Sequence, residues 1–123
     1  MMIDVFVYGT LLPGERNHHV VKPYLKVRQP GRVRGRLYDV GEYPALVLDP
    51  NGLEIEGEWF TVTGAGLKAM DELEEYFGPG ENNLYDRVRV EDVSNGRIGW
   101  VYVWQDSRGC PEIPGVSWRA YRV

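Results

Sequence analysis

Hydrophobic and polar positions alternate along most of the chain, a pattern that predicts β-strands joined by turns. The predicted strands cover approximately residues 5–8, 31–40, 44–48, 53–62, 85–93 and 98–104, and residues 105–123 predict an irregular cover or a last edge strand. Pro23 and Pro30 bracket a connection before the second strand. The sequences Asp49-Pro50-Asn51-Gly52 and Asn95-Gly96 are hairpin signals.

One segment, Gly64 to Phe77, departs from this alternation and predicts the main helix. Its apolar residues recur at helical spacing, and a glycine-proline turn follows them: Leu67, Met70, Leu73 and Phe77, then Gly78-Pro79-Gly80. Strands and helix together predict an α+β fold, in which a small mixed β-barrel of about six or seven strands carries one main helix.

One carboxylate on this helix lies on its apolar face, where a surface residue is not expected. At about 100° per residue, Glu74 falls inside the apolar arc, whereas Glu72 and Glu75 fall towards solvent. A carboxylate directed at a sheet is costly to bury, and burial raises its pKa towards neutrality, where it can take up and return a proton. The alternative is that Glu74 lies at the rim of the apolar face and pairs with Arg87 or Arg89. Helical geometry leaves both interpretations open.

The first predicted strand, Val5 to Tyr8, ends abruptly at Gly9. Backbone N–H groups in such a turn can converge on an anion or on a developing oxyanion, a function that needs no charged side chain. An ordinary strand followed by an ordinary turn is the alternative. The turn from Tyr8 through Gly9 and Thr10 to Leu11 is therefore a candidate binding loop.

Composition limits the classes of protein. With 123 residues, 43% of them hydrophobic, and four tryptophans, the chain is expected to form one domain over residues 1–123. Cys110 is the only cysteine, so no intrachain disulfide is expected, and no metal site is predicted. The formal net charge of −4 argues against binding to nucleic acid. Neither a membrane span nor an N-terminal leader is recognisable, which predicts a cytoplasmic protein.

Two polar features have less specific interpretations. Four arginines form a basic stripe, which is typical of the solvent face of a strand; a small RNA-binding barrel is the weaker alternative. They are Arg28, Arg32, Arg34 and Arg36. A short helix is predicted within residues 15–22, with Asn17 as its N-cap and with His18 and His19 as surface residues.

Four motifs in order along the chain carry a resemblance to a known family. They are Tyr8-Gly9-Thr10-Leu11, the sequence G-E-Y-P-A-L-V at 41–47, Met70-Asp71-Glu72-Leu73-Glu74 and Tyr85-Asp86-Arg87. Together they resemble the γ-glutamylcyclotransferase-like family, which includes γ-glutamylamine cyclotransferases and the AIG2-like and YtfP-like proteins. The resemblance covers roughly residues 3–104.

This resemblance implies a small β-barrel flanked by helices and an enzyme that needs no cofactor. It implies that the loop from Tyr8 to Leu11 binds the γ-glutamyl part of a small-molecule substrate, that Glu74 moves protons, and that Tyr43 and Tyr85 lie at the pocket. The reaction it implies is intramolecular attack of the α-amine on the γ-carbonyl, which releases 5-oxoproline. A monomer or weak homodimer is expected.

Two features depart from the family pattern. Glu75 stands where family members commonly have glycine, and the loop from Gly78 to Leu84 is longer than usual. Both lie beside the expected pocket, so they bear on the substrate more than on the fold. The remaining alternative to an enzyme is a non-catalytic domain that keeps the pocket and binds a small molecule.

Overall fold

The alternating segments form one six-stranded sheet in the computed structural model, which describes residues 1–123. The strands are β1 (Met2–Val7), β2 (Leu25–Asp39), β3 (Pro44–Leu48), β4 (Leu53–Thr63), β5 (Asp86–Glu91) and β6 (Ile98–Val103). The helices are α1 (His18–Val21), α2 (Gly64–Leu73) and α3 (Trp118–Arg122), and a single 3₁₀ turn at Lys22–Tyr24 follows α1. No helix is long and apolar enough to cross a membrane.

The sheet is mixed and curls towards closure. Its strand order is β3-β2-β4-β1-β6-β5, with β1 and β6 parallel and the other neighbours antiparallel. Just beyond β6, the amide of Trp104 donates a hydrogen bond of 2.9 Å to the carbonyl of Leu46 in β3, so the curled sheet brings these two strands together. The predicted α+β fold with a mixed β-barrel is confirmed, in the form of a half-barrel.

The second half of the central strand β1, Val5 to Val7, is buried on both faces because these residues are continuously apolar. Val5 and Val7 pack in one cluster with Met70 of α2, while Phe6 packs in a second cluster with Trp59 and with Trp118 of α3. The end of the chain covers the second cluster, and an isolated bridge joins it to β2. Residues 105–123 therefore cover the core, as predicted, but they form neither a wholly irregular segment nor an edge strand, because residues 118–122 form α3.

Two predictions about connections are wrong. Pro30 lies within β2, not in a connection, and it is tolerated because β3 pairs only with the last part of β2, so this stretch has a free edge. The turn at Asp49 to Gly52 does not make a hairpin, because β3 and β4 both pair with β2 and not with each other. Asn95-Gly96 does lie between paired strands, as predicted, and Gly96 has a φ of +75°.

The main helix is shorter than predicted. It begins after Thr63, whose hydroxyl accepts a hydrogen bond from the amide of Gly66, and it ends at Leu73. Glu75 has a left-handed φ of +54°, and the amides of Glu75 and Tyr76 donate back to the carbonyls of Glu72 and Asp71. This is a Schellman motif, which satisfies the last carbonyls of the helix. Phe77 therefore lies beyond the helix and is 66% exposed.

The basic stripe on β2 faces acidic residues on the protein itself. Arg28 is 3.7 Å from Glu58, Arg34 is 3.5 Å from Glu54, and Arg36 is 3.0 Å from Asp49. Arg32 also lies within 3.9 Å of Glu54. Each of the four guanidinium groups is thus opposed by a carboxylate, as the solvent face of a strand would arrange them.

Candidate active site

Several chain segments meet at one edge of the sheet. Because β1 and β6 are parallel, their carboxyl ends lie at the same edge, and β5, which is antiparallel to β6, begins there. A cavity of about 230 Å³ lies at this edge. All of the predicted site residues line it: Tyr8, Gly9, Thr10, Leu11, Tyr43, Glu74 and Tyr85.

The loop after β1 contributes free backbone donors. None of the amides of Tyr8, Gly9, Thr10 and Leu11 donates a hydrogen bond within the protein. Gly9 does not have a positive φ, so the backbone conformation of a tight turn is not what requires glycine at this position. A Cβ atom at Gly9 would lie 2.7 Å from Cγ of Pro44, so the close approach of β3 is what requires glycine here.

The residues that fix this loop were not identified from the sequence. Asn17 anchors Thr10 twice, through its backbone amide to the Thr10 carbonyl and through its side-chain amide to the Thr10 hydroxyl, each at 3.0 Å. It occupies the N-cap position of α1, as predicted, but its side chain makes no cap hydrogen bond to the helix, because that side chain is bonded to Thr10. The Nδ1 atom of His18 donates to the carbonyl of Leu11 at 2.8 Å, and its ring packs edge-on against Phe60. His18 is therefore a half-buried support of the loop and not a surface residue; His19 is exposed, as expected.

Three tyrosine hydroxyls in the cavity donate to acceptors of the protein. Tyr8 donates to the carbonyl of Tyr102 at 2.6 Å, Tyr85 donates to the carbonyl of Pro44 at 2.7 Å, and Tyr102 donates to Asp71 at 2.6 Å. Burial raises the pKa of all three, so the hydroxyls stay protonated. The hydroxyl of Tyr85 thus supports the start of β3 and does not donate to Glu74.

Glu74 projects into the cavity from the C-cap of α2. Its carboxyl group has no hydrogen bond or ion pair within the protein. The alternative in which it pairs with an arginine does not occur, because Arg87 lies 2.9 Å from Asp71 and Arg89 lies over the ring of Trp100. Desolvation raises the pKa of Glu74 from 4.5 to about 7. A group with this pKa can accept and return a proton near neutral pH.

Two further charged residues, Arg16 and Glu75, line the cavity, and Arg16 was not identified from the sequence. Arg16, in the loop after β1, is the only cationic lining residue, and it forms an ion pair with Glu42. Glu75 lines the cavity beside Glu74. Neither at the cavity nor elsewhere in the protein is a group of three or more His, Cys, Asp or Glu side chains placed to hold a metal ion.

Comparison with known proteins shows the family to which the chain belongs. The family described as "Gamma-glutamyl cyclotransferase, AIG2-like" matches residues 5–120, and the chain belongs to this family. A relative from Niallia circulans, named gamma-L-glutamyl-butirosin B gamma-glutamyl cyclotransferase, is 40% identical over 99% of this chain and 79% of its own length.

Solved structures share the architecture. A mouse AIG2-like protein aligns with a TM-score of 0.71 and 26% identity, over 89% of this chain and 84% of its own. YkqA from Bacillus subtilis aligns with a TM-score of 0.76 and 23% identity over 99% of this chain, which spans 41% of that longer protein. The second likeness is one of fold alone.

Proposed function

We propose that this protein is an intramolecular cyclotransferase that releases 5-oxoproline from a γ-glutamyl amine, peptide or related conjugate. Glu74 serves as general acid and base, and the amides from Tyr8 to Leu11 stabilise the oxyanion. The observation that supports this best is the placement of an unpartnered, partly buried carboxyl group and of unpartnered amides around one cavity. A proton acceptor and an anion-stabilising site are the two elements that this reaction requires.

The proposed reaction moves two protons from one nitrogen to another. Glu74 takes a proton from the α-ammonium group, and the free amine attacks the γ-carbonyl carbon. The carbonyl oxygen becomes an oxyanion, which the loop amides stabilise by donating hydrogen bonds. When the oxyanion collapses, the bond between the γ-carbon and the leaving nitrogen breaks. The leaving amine gains the two protons that the α-nitrogen loses, so Glu74 ends in its starting state.

Because the nucleophile and the carbonyl belong to one molecule, the protein has to fold the substrate and position one carboxyl group. Correct positioning of reacting groups alone supplies a large rate enhancement, and no cofactor enters these steps. The cavity has the scale of a single amino acid, which suits the γ-glutamyl part. The leaving amine then lies towards the open mouth. The relative from Niallia circulans is named for γ-L-glutamyl-butirosin B, which makes that compound a suitable first donor to try.

The direct test is to incubate the purified protein with three donors and to measure 5-oxoproline by mass spectrometry. The donors are γ-L-glutamyl-butirosin B, Nε-(γ-L-glutamyl)lysine and a γ-L-glutamyl dipeptide. Turnover is expected with at least one of them. In Glu74→Gln, which keeps the shape of the side chain, the rate should fall by about 10²–10⁴, the range for loss of a general acid and base.

Glu72→Gln is the matched control, because it removes a carboxylate from the solvent side of the same helix. It should leave turnover unchanged. The opposing result is a protein that binds 5-oxoproline but releases none from any donor. That outcome would favour a domain that binds a small molecule without turnover.

A further inference from the structure

The proposed reaction leaves one charged group of the substrate without a partner, and the following argument rests on that proposed function. The α-nitrogen must approach Glu74, and the γ-carbonyl oxygen must approach the free amides of the loop. The α-carboxylate is the remaining polar group of the γ-glutamyl part. A carboxylate that leaves water needs a cation or several hydrogen-bond donors.

Several side-chain donors in the cavity are already used. The hydroxyl protons of the three buried tyrosines and one of the two side-chain amide protons of Asn17 are donated to groups of the protein. The second amide proton of Asn17 and the hydroxyl groups of Tyr43 and Thr10 remain, and all of these donors are uncharged. Arg16 is the remaining donor with a positive charge, and hydrogen bonds from a charged donor to a carboxylate are roughly twice as strong as neutral ones.

Arg16 is held where it can change partners. Its side chain is 49% exposed, and it pairs with Glu42, which is 75% exposed, in the loop between β2 and β3. Ion pairs between exposed groups contribute little free energy, so replacing Glu42 by another carboxylate costs little. The planar guanidinium group also matches both oxygens of a carboxylate.

We propose that Arg16 binds the α-carboxylate of the γ-glutamyl substrate, and that Glu42 holds the guanidinium group at the cavity mouth until the substrate carboxylate replaces it. Arg16 is then a specificity residue: it selects donors whose α-carboxylate is free. Glu42 is an internal competitor of the substrate. Substitutions at these two positions should therefore change substrate binding in opposite directions.

The test compares two ligands that differ only in this group, 5-oxoproline and its neutral amide, 5-oxoprolinamide, by calorimetry. Arg16→Gln should raise the Kd of 5-oxoproline by about tenfold or more, as for loss of a charged hydrogen bond, and should leave the Kd of the amide within about twofold. Glu42→Gln should lower the Kd of 5-oxoproline. Arg28→Gln, which removes the same charge from β2 outside the cavity, is the control and should change neither value.

Three binding results would overturn the assignment. If Arg16→Gln weakens both ligands equally, Arg16 only supports the loop. If it weakens neither, the α-carboxylate is held elsewhere, with the loop amides as the first alternative. If the wild-type protein binds neither ligand, the cavity contains no site for this carboxylate and the assignment fails. For donors that are turned over, Arg16→Gln should raise KM and leave kcat nearly unchanged, because this contact is the same in the ground and transition states.

The binding assay also separates this proposal from the proposed function. If Arg16 discriminates the two ligands but no 5-oxoproline is released from any donor, the carboxylate site is supported and the proposed enzymatic function fails. If turnover depends on Glu74 but ligand binding does not depend on Arg16, the enzymatic function is supported and the proposed carboxylate site fails.

Discussion

At the scale of a single residue, the burial of Glu74 favours its proposed role in proton transfer but opposes stability. Proton transfer near neutral pH is served by a pKa of about 7, and desolvation supplies that value. The same desolvation makes the ionised form costly, because no partner in the protein compensates the charge. The folded state therefore favours the protonated form more strongly than the unfolded chain does.

This imbalance predicts how stability depends on pH. Below pH 4.5 the carboxyl is protonated in both states; between pH 4.5 and about 7 the unfolded chain loses the proton while the folded protein keeps it. The free energy of unfolding therefore falls as pH rises, and the total loss reaches about 3 kcal/mol above pH 7. Glu74→Gln lacks this effect, so its advantage over the wild type should grow from pH 4.5 to 7 and then level off. Urea denaturation at several pH values measures it; a difference that is flat, or that shrinks with pH, contradicts the assigned environment.

The direction in which Glu74 points could be predicted from the sequence because it depends only on local helix geometry. Its backbone keeps helical angles at the C-cap, with φ −82° and ψ 0°, so the angular position computed for a helix still applies. The roles of Arg16, Asn17 and His18 depend on how a loop folds back on the first strand. No periodicity describes such a loop, although the polar run that begins at Glu15, a few residues after the Tyr8 to Leu11 motif, was a usable signal.

Among the elements, the end of α2 determines where the acid lies. The chain reverses at Glu75, and Glu74 is thereby left as the last residue with a helical backbone conformation. A left-handed backbone costs a residue with a Cβ atom roughly 1–2 kcal/mol, while glycine avoids that cost. The helix end thus carries local strain directly beside the cavity.

Glu75→Gly should relieve this strain. Glycine loses more backbone freedom on folding, so the net gain in the free energy of unfolding should be about 0.5–1 kcal/mol. Denaturant unfolding measures the change. Glu75→Ala removes the same carboxylate and keeps the Cβ atom, so it should give no such gain. Equal stabilisation by both variants would show that the charge, and not the backbone, is responsible.

The elements themselves were largely predictable, and their connections were not. Alternation identifies β2, β4, β5 and β6, and short apolar runs identify β1 and β3. The helix end was misplaced because apolar spacing continues to Phe77 after the backbone has already turned. The turn at Asp49 to Gly52 has hairpin chemistry, yet both flanking strands pair with the long β2. The turn preference of four residues contains no information about which strand each flanking strand will pair with.

Across the whole molecule, the end of the chain braces the loops around the cavity. Arg119 donates to the carbonyl of Pro13 at 3.2 Å, and Arg122 donates to the carbonyl of Gly41 at 3.0 Å. These carbonyls belong to the loop after β1 and to the loop between β2 and β3. The anchor of this brace is Trp118, which is 2% exposed in the second core cluster.

Trp118→Ala should therefore affect both stability and the site. Loss of a buried tryptophan costs about 3–5 kcal/mol, which should lower the free energy of unfolding by that amount. Binding of 5-oxoproline should weaken even at temperatures where the variant is fully folded, because both braced loops lose their support. Thermal unfolding and calorimetry provide the two measurements. Trp118→Phe keeps most of the ring and should lose less than half as much; a variant that loses stability but binds normally would separate the tail from the site.

The contact between Gly9 and Pro44 has a consequence for anyone redesigning this enzyme. The two residues come from distant parts of the chain, yet the ring of Pro44 fills the space that a side chain at position 9 would need. The two positions therefore cannot be varied independently. A library that varies Gly9 alone will mostly sample collisions with the proline ring. Varying both positions together, with a smaller residue opposite each enlarged one, gives access to cavity shapes that single substitutions never reach.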